Sequence, residues 1–171
     1  MLKTIIVFLF IILIIGLIFG IDSLIKLRRR WLASRPFLSH FTVIIERNLP
    51  FYKHLPESLR QRFQCHINIL LCEKKFKGCE GLHITDEIKV TIAAIAALLL
   101  LNDQGNYFSK LRIILVYPSA FIANQTIPFG EYFLEEKQVK AGESWGTGIV
   151  VLSWENIRYD VRHWQDGRNV V

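Results

Sequence analysis

Paired histidines, closely spaced cysteines and glycine-rich phosphate loops are all missing from this sequence, and each absence removes a class of chemistry. The five histidines, His40, His54, His66, His83 and His163, never stand four residues apart. No helix can therefore offer two imidazoles to one zinc in the H-E-x-x-H manner. The three cysteines, Cys65, Cys72 and Cys79, follow one another at intervals of seven. On one helix that interval is two turns, roughly 10 Å, too long for a disulfide. It also lacks the C-x-x-C-like spacing of a zinc site, so the cysteines read as buried thiols of a reducing compartment. Neither a Walker A nor a G-x-G-x-x-G pattern occurs, and there is no internal repeat or low-complexity tract.

Basic residues are present but unevenly placed. The formal net charge is +6 over 171 residues. Residues 1–35 hold six Lys/Arg and one Asp, leaving 15 basic and 14 acidic residues in 36–171. The main body is close to neutral, so no basic face for nucleic acid is expected.

What the front of the chain has in abundance is apolar sequence. Ile5–Ile21 reads IIVFLFIILIIGLIFGI, 17 residues without a polar side chain. As a helix this spans roughly 25 Å, and with its flanks it would cover a bilayer core. Lys26, Arg28, Arg29 and Arg30 follow it, whereas only Lys3 precedes it. Hydropathy and the positive-inside rule thus predict an uncleaved transmembrane helix with these four residues as its membrane flank. The amino terminus would lie outside an inner (cytoplasmic) membrane crossed once, with the rest in the cytoplasm.

Beyond Pro36 the pattern predicts helices first and strands later, an α+β arrangement. Phe37–Leu49 reads as a short amphipathic helix. Leu59, Phe63, Ile67, Leu70 and Leu71 recur at helical spacing after Pro56. Gly78 and Gly81 end that helix and start a short extended piece, Leu82–Ile84. Thr85 suits an N-cap, with Asp86 and Glu87 at the positive end of the helix dipole. Ile92–Leu101 is ten consecutive apolar residues, too short to span a membrane, and predicts a helix covered on every side. Leu111–Pro118 and Gly148–Trp154 read as strands, and Trp154–Trp164 as a short helix.

Gly142–Gly146, GESWG, fits G-x-S-x-G, with Asp160 and His163 following Ser144 in the order of a hydrolase triad. A nucleophile elbow needs a strand before it and a helix after it. Here a charged segment precedes and a strand follows, so a tight turn into a strand is the better reading.

Several stretches taken together resemble one family: LPFYKHL, CEKKFKGCEGLHITDEIKVTIAAIAALLLLN, ILVYPSAF, GESWGTGIVVLSWENI and DGRNVV. In order and spacing, over about residues 50–171, they are similar to the Mlc titration factor A (MtfA) family of zinc-dependent peptidases. The resemblance implies the amino-terminal half of a zincin-like domain, with helices packed on a small sheet. In the family, the counterpart of GRNVV runs into an H-E-x-x-H helix carrying two zinc-binding histidines and the catalytic glutamate. No catalytic or metal-binding residue can be carried over onto this sequence, because no position matches that helix. The cofactor of the complete family domain is zinc, with none expected here. The resemblance also implies a strand edge beside the active-site helix that pairs with extended substrate. Gly148, Ile149, Val150, Val151 and Leu152 are the candidate substrate-edge strand.

The expected organisation is therefore a transmembrane anchor and basic flank over 1–35, then an incomplete peptidase domain over 36–171. The expected function is the amino-terminal portion of a membrane-anchored zinc metallopeptidase, inactive as it stands because the zinc-binding motif is absent. The alternative is a truncated, noncatalytic, membrane-bound binding or regulatory module. Expected partners are the membrane, a peptide or protein substrate for the complete domain and, through the family's link to a sugar-responsive repressor, a transcriptional regulator. Nucleic acid is not expected. The purified chain is predicted not to retain zinc through dialysis. Metal analysis finding one tightly held zinc per chain would overturn this and point to a site assembled from distant residues.

Overall fold

A computed structural model describes the backbone of residues 2–101, 106–129, 132–140, 142–145 and 148–163. It describes the side chains of residues 10, 16, 20–101, 106–120 and 148–163. The stretch Asp166–Val171 and the side chain of Ser144 lie outside the described residues.

The elements run α1 (Leu2–Ala33), α2 (Ser39–Asn48), a 3-10 turn (Pro50–His54), α3 (Glu57–Glu73), β1 (Lys75–Gly78) and α4 (Asp86–Leu100). Strands β2 (Ile113–Tyr117), β3 (Phe121–Phe129), β4 (Tyr132–Lys140), β5 (Gly142–Trp145) and β6 (Ile149–Ser153) follow, then α5 (Trp154–Arg162). The main sheet has four strands in the order β1-β2-β6-β5. β1, β2 and β6 are parallel, and β5 runs antiparallel to β6. β3 and β4 form a separate antiparallel pair. Helices and strands are thus interleaved as well as sequential: α4 is the crossover that lets β1 and β2 run parallel, as a parallel pair requires.

α4 lies at the centre. Thr85 caps it, its hydroxyl accepting a hydrogen bond from the Ile88 amide at 3.4 Å. Ile88, Val90, Ile92, Ala93, Ala94, Ile95, Ala97 and Leu100 are all buried. They share one core with Ile45, Tyr52, Phe63, Ile67 and Leu70 from the preceding helices and Ile114, Val116, Leu152 and Ile157 from the sheet and α5. The expectation of burial on every side is corrected at Leu99, which is 57% exposed.

The expected amino-terminal transmembrane helix is also corrected. Among the described residues, no helix is long and apolar enough to cross a membrane. The single-pass inner-membrane localisation, which rested on that span, is corrected with it. The physical reason lies in the described part of α1. There Asp22, Lys26, Arg28, Arg29 and Arg30 put five charges within nine residues, and the last turns are docked on protein. Leu32 is buried. Arg29 forms a two-pronged ion pair with Glu73 of α3, Nε to Oε1 at 2.7 Å and Nη2 to Oε2 at 3.0 Å. Carbonyl groups at the end of α1, which need partners outside the helix, find them on α3. The Cys65 thiol donates to the Ala33 oxygen at 3.3 Å, and Asn68 Nδ2 donates to the Arg35 oxygen just beyond the helix at 3.1 Å.

The sheet starts from one tight junction. Gly148 has a φ of +82°, and a Cβ there would collide with the Lys110 carbonyl oxygen. Its own carbonyl accepts from the Arg112 amide at 2.8 Å and the Ile113 amide at 3.2 Å, fixing where β6 begins beside β2. Gly148→Ala is therefore expected to destabilise the protein by about 1–3 kcal/mol, the range for a strained backbone position. Denaturant unfolding of the two proteins measures this. An unchanged midpoint would show that the junction relaxes at no cost.

Candidate functional site at the sheet edge

β6 is the inner strand of the sheet's outer pair. Ile149 to Ser153 pair with Ile113 to Tyr117 of β2 on one side. Leu152, Val151, Val150 and Ile149 pair with Gly142, Glu143, Ser144 and Trp145 of β5 on the other. The candidate strand Gly148–Leu152 is thus engaged on both sides, and β5 ends the sheet among the described strands. Among the described strands of this sheet, β1, β2 and β6 run one way and β5 the other. Burial explains the inner placement, since Val151 and Leu152 are 2% and 1% exposed. The GESW segment, read from sequence as a turn, is itself the edge strand. Glycine and the charged residues before it gave no period-2 signal to reveal this.

β6 passes directly into α5. Ser153 is fully buried and its Oγ accepts from the Asn156 amide at 3.3 Å, an N-cap. The Glu155 amide donates to the Pro118 oxygen at 3.1 Å, tying the start of α5 to the end of β2. Trp154 and Ile157 are buried beneath it.

The hydrolase pattern does not assemble. Ser144 lies on β5 and is followed by β6, with no helix next in sequence. His163 has its Nδ1 2.9 Å from the Tyr159 carbonyl oxygen and stacks on the Tyr159 ring at 4.2 Å between centroids. The other histidines are dispersed. His40 lies 3.5 Å from Asp86, and His66 Nδ1 is 2.8 Å from the Tyr107 hydroxyl. The three cysteines are free, and burial pushes the Cys65 thiol pKa up. Among the described residues no group of three or more His, Cys, Asp or Glu could hold a metal ion. The described side chains thus offer zinc no fitting site. Of the expected membrane flank, Lys26, Arg28 and Arg30 are exposed, whereas Arg29 turns onto Glu73 and the Tyr107 ring, 4.6 Å from its centroid.

A polar junction behind the sheet is not apparent in the sequence. Lys74, 6% exposed, donates through Nζ to the carbonyl oxygens of Phe108 and Leu111, both at 2.9 Å. Burial lowers its pKa, a pull the neighbouring Glu73 opposes. A lysine in the KK pair between a helix and a strand reads as solvated, and only the fold brings the 106–111 loop over it.

With this geometry in place, the comparisons give the class. The family model for the glucose-regulated metallo-peptidase M90 matches residues 24–171, and the chain belongs to that family. An uncharacterized protein of Synechocystis is 40% identical over 173 residues, covering 100% of this chain and 63% of that protein. Mlc titration factor A of Yersinia pestis and of Yersinia pseudotuberculosis are each 29% identical over 112 residues, covering 65% of this chain and 42% of the relative. The chain therefore spans between about two-fifths and two-thirds of the length of these relatives.

The half-buried His66 is expected to give this region a pH dependence. Burial lowers its pKa from 6.5, Arg62 adds to the effect, and its Nε2 has no hydrogen-bond partner. The unfolded chain takes up the proton first as pH falls, so stability present above pH 6.5 is lost below it until the folded-state pKa is reached. Unfolding midpoints between about pH 7.5 and 5 should fall for the parent and fall less steeply for His66→Gln. Parallel profiles would show that His66 does not set the slope.

Proposed function

We propose that this chain forms the sheet-bearing part of an M90-type metallopeptidase that lays an extended peptide along the open side of β5. The observation that carries the reading is the antiparallel β5 at the end of an otherwise parallel sheet. An edge strand presents unpaired backbone N–H and C=O groups, and an extended peptide satisfies them by adding a strand. Gly148–Leu152 then serves as the inner strand that holds β5 in register, with residues 36–171 as the domain and the end of α1 clamped onto it. Hydrolysis is proposed for the complete domain only. The described residues hold no metal-ligand cluster, so the chain alone is proposed to be inactive. A second reading rests on the name of the Yersinia relatives: the chain binds Mlc or a protein like it, without catalysis.

The test uses the chain alone and the chain fused to the part of the Synechocystis relative that it does not span. With zinc supplied, fluorogenic peptides should be cleaved by the fusion and not by the chain. Proline at Glu143 or Ser144 removes a backbone donor of β5, and at least one of the two variants should raise KM. A fusion that unfolds cooperatively yet cleaves nothing would sink the peptidase reading, and co-purification of the chain with Mlc would favour the second.

A further inference from the structure

A cavity of about 470 Å³ lies between α2, α4 and α5, lined by Arg47, Asn48, Glu87, Thr91, Arg158 and Arg162, with Pro50, Trp154 and Val161 as its apolar surfaces. The peptidase reading makes no use of it. Its volume is within the range of small-ligand sites, roughly 300–1,000 Å³. Three guanidinium groups face one carboxylate. That carboxylate is already engaged, since Arg47 Nη2 is 2.6 Å from Glu87 Oε1. Arg47 is further placed by its Nε donating to Asn48 Oδ1 at 3.4 Å, and Asn48 by its Nδ2 donating to Thr91 Oγ1 at 2.7 Å. Arg158 and Arg162 have no ion-pair partner among the described residues. They stand four apart on α5, a spacing at which like charges repel and weaken a helix. Arg158 also sits over the Trp154 ring, 6.0 Å from its centroid.

Two positive charges at one cavity, neither ion-paired among the described residues, ask for a dianion. A guanidinium fork matches phosphate oxygens in pairs, and a phosphate monoester carries about −1.5 to −2 at pH 7. A monocarboxylate would leave one guanidinium uncompensated. We propose that this cavity binds a small phosphate monoester, with its head between Arg158, Arg162 and Arg47 and a ring or apolar body against Trp154, Pro50 and Val161. The proposal is independent of the peptidase reading, since it concerns α2, α4 and α5 and not the β5 edge.

Calorimetric titration of the full chain with phenyl phosphate, benzoate and inorganic phosphate tests it. Phenyl phosphate should bind at one site, at least about tenfold tighter than the other two. Arg158→Gln with Arg162→Gln should weaken it by at least about tenfold with the unfolding midpoint no lower than the parent's. Both side chains are exposed, so folding should survive. Should the midpoint fall, Arg158→Lys with Arg162→Lys keeps the charge but loses the forks, and should still bind phenyl phosphate more weakly than the parent. Equal binding of benzoate, no saturable binding of phenyl phosphate, or unchanged affinity in a folded variant would each overturn the proposal.

Discussion

The apolar surface of α4 is the constraint on which the rest of the structure depends. Burying Ile88, Ile92, Ile95 and Leu100 contributes about 1.5–3 kcal/mol each relative to leaving them in water. That gain is realised only if other elements close around the helix. α2, the 3-10 turn and α3 supply Ile45, Tyr52, Phe63, Ile67 and Leu70, while the sheet and α5 supply Ile114, Val116, Leu152 and Ile157. The sheet is thereby fixed to α4 mainly through its central strands, β2 and β6, with Phe76 of the edge strand β1 packed against the same core. Tyr52 shows how polarity is accommodated in this packing. It is 1% exposed, and its hydroxyl accepts from Gln64 Nε2 at 2.6 Å, avoiding the penalty of an unpaired buried group.

The second constraint sits at the start of the parallel strands. Tyr107 and Phe108 have φ values of 40° and 49°, a region that costs a non-glycine residue on the order of 1–3 kcal/mol. Such a loop persists only when its surroundings hold it. Here Lys74 Nζ binds two of its carbonyls, and Tyr107 meets His66 and the Arg29 guanidinium. Lys74 stands between the end of α3 and the start of β1, and the next residue's amide donates to the Arg112 oxygen at 3.0 Å. Arg112 in turn donates to Gly148. One short chain of contacts thus sets the starting points of β1, β2 and β6 together. Because Arg29 belongs to α1 and its ion-pair partner Glu73 to α3, the same junction also fixes where α1 meets the body.

Local signals were legible and pairing was not. Thr85 with Asp86 and Glu87 marked the start of α4, and β-branched runs marked β2 and β6, because caps and periodicity depend on neighbouring residues. β1 was missed since KFKG is short and lysine-rich, and the extended piece was placed at Leu82–Ile84 instead. The β3–β4 pair was missed as well, its polar sequence NQT and EEKQVK lacking a strand pattern. The order β1-β2-β6-β5 depends on contacts between segments tens of residues apart, which no local window contains. That is why Gly148–Leu152 was taken for the edge when it lies inside β5. The amino-terminal run was judged on hydropathy and flanking charge, both local signals, whereas the docking of α1 through Arg29 and Leu32 depends on α3, more than twenty residues further along the chain.

The sheet edge and the arginine-lined cavity share one covalent segment. β6 is held from both sides by β2 and β5, and it enters α5 through Ser153, whose side chain caps the helix and whose backbone still lies in the β2 register. Trp154, the first residue of α5, then faces the cavity. No flexible linker separates the strand from the helix: the next amide, that of Glu155, is already bound to Pro118 at the end of β2. The positions of Arg158 and Arg162 therefore follow from the register of β6, since the helix starts where the strand stops. The same register places β5, which pairs with β6 alone in this sheet. A one-residue slip of β6 would turn Val151 away from its buried side. It would also rotate the start of α5, so core packing against α4 holds both the edge and the cavity in place.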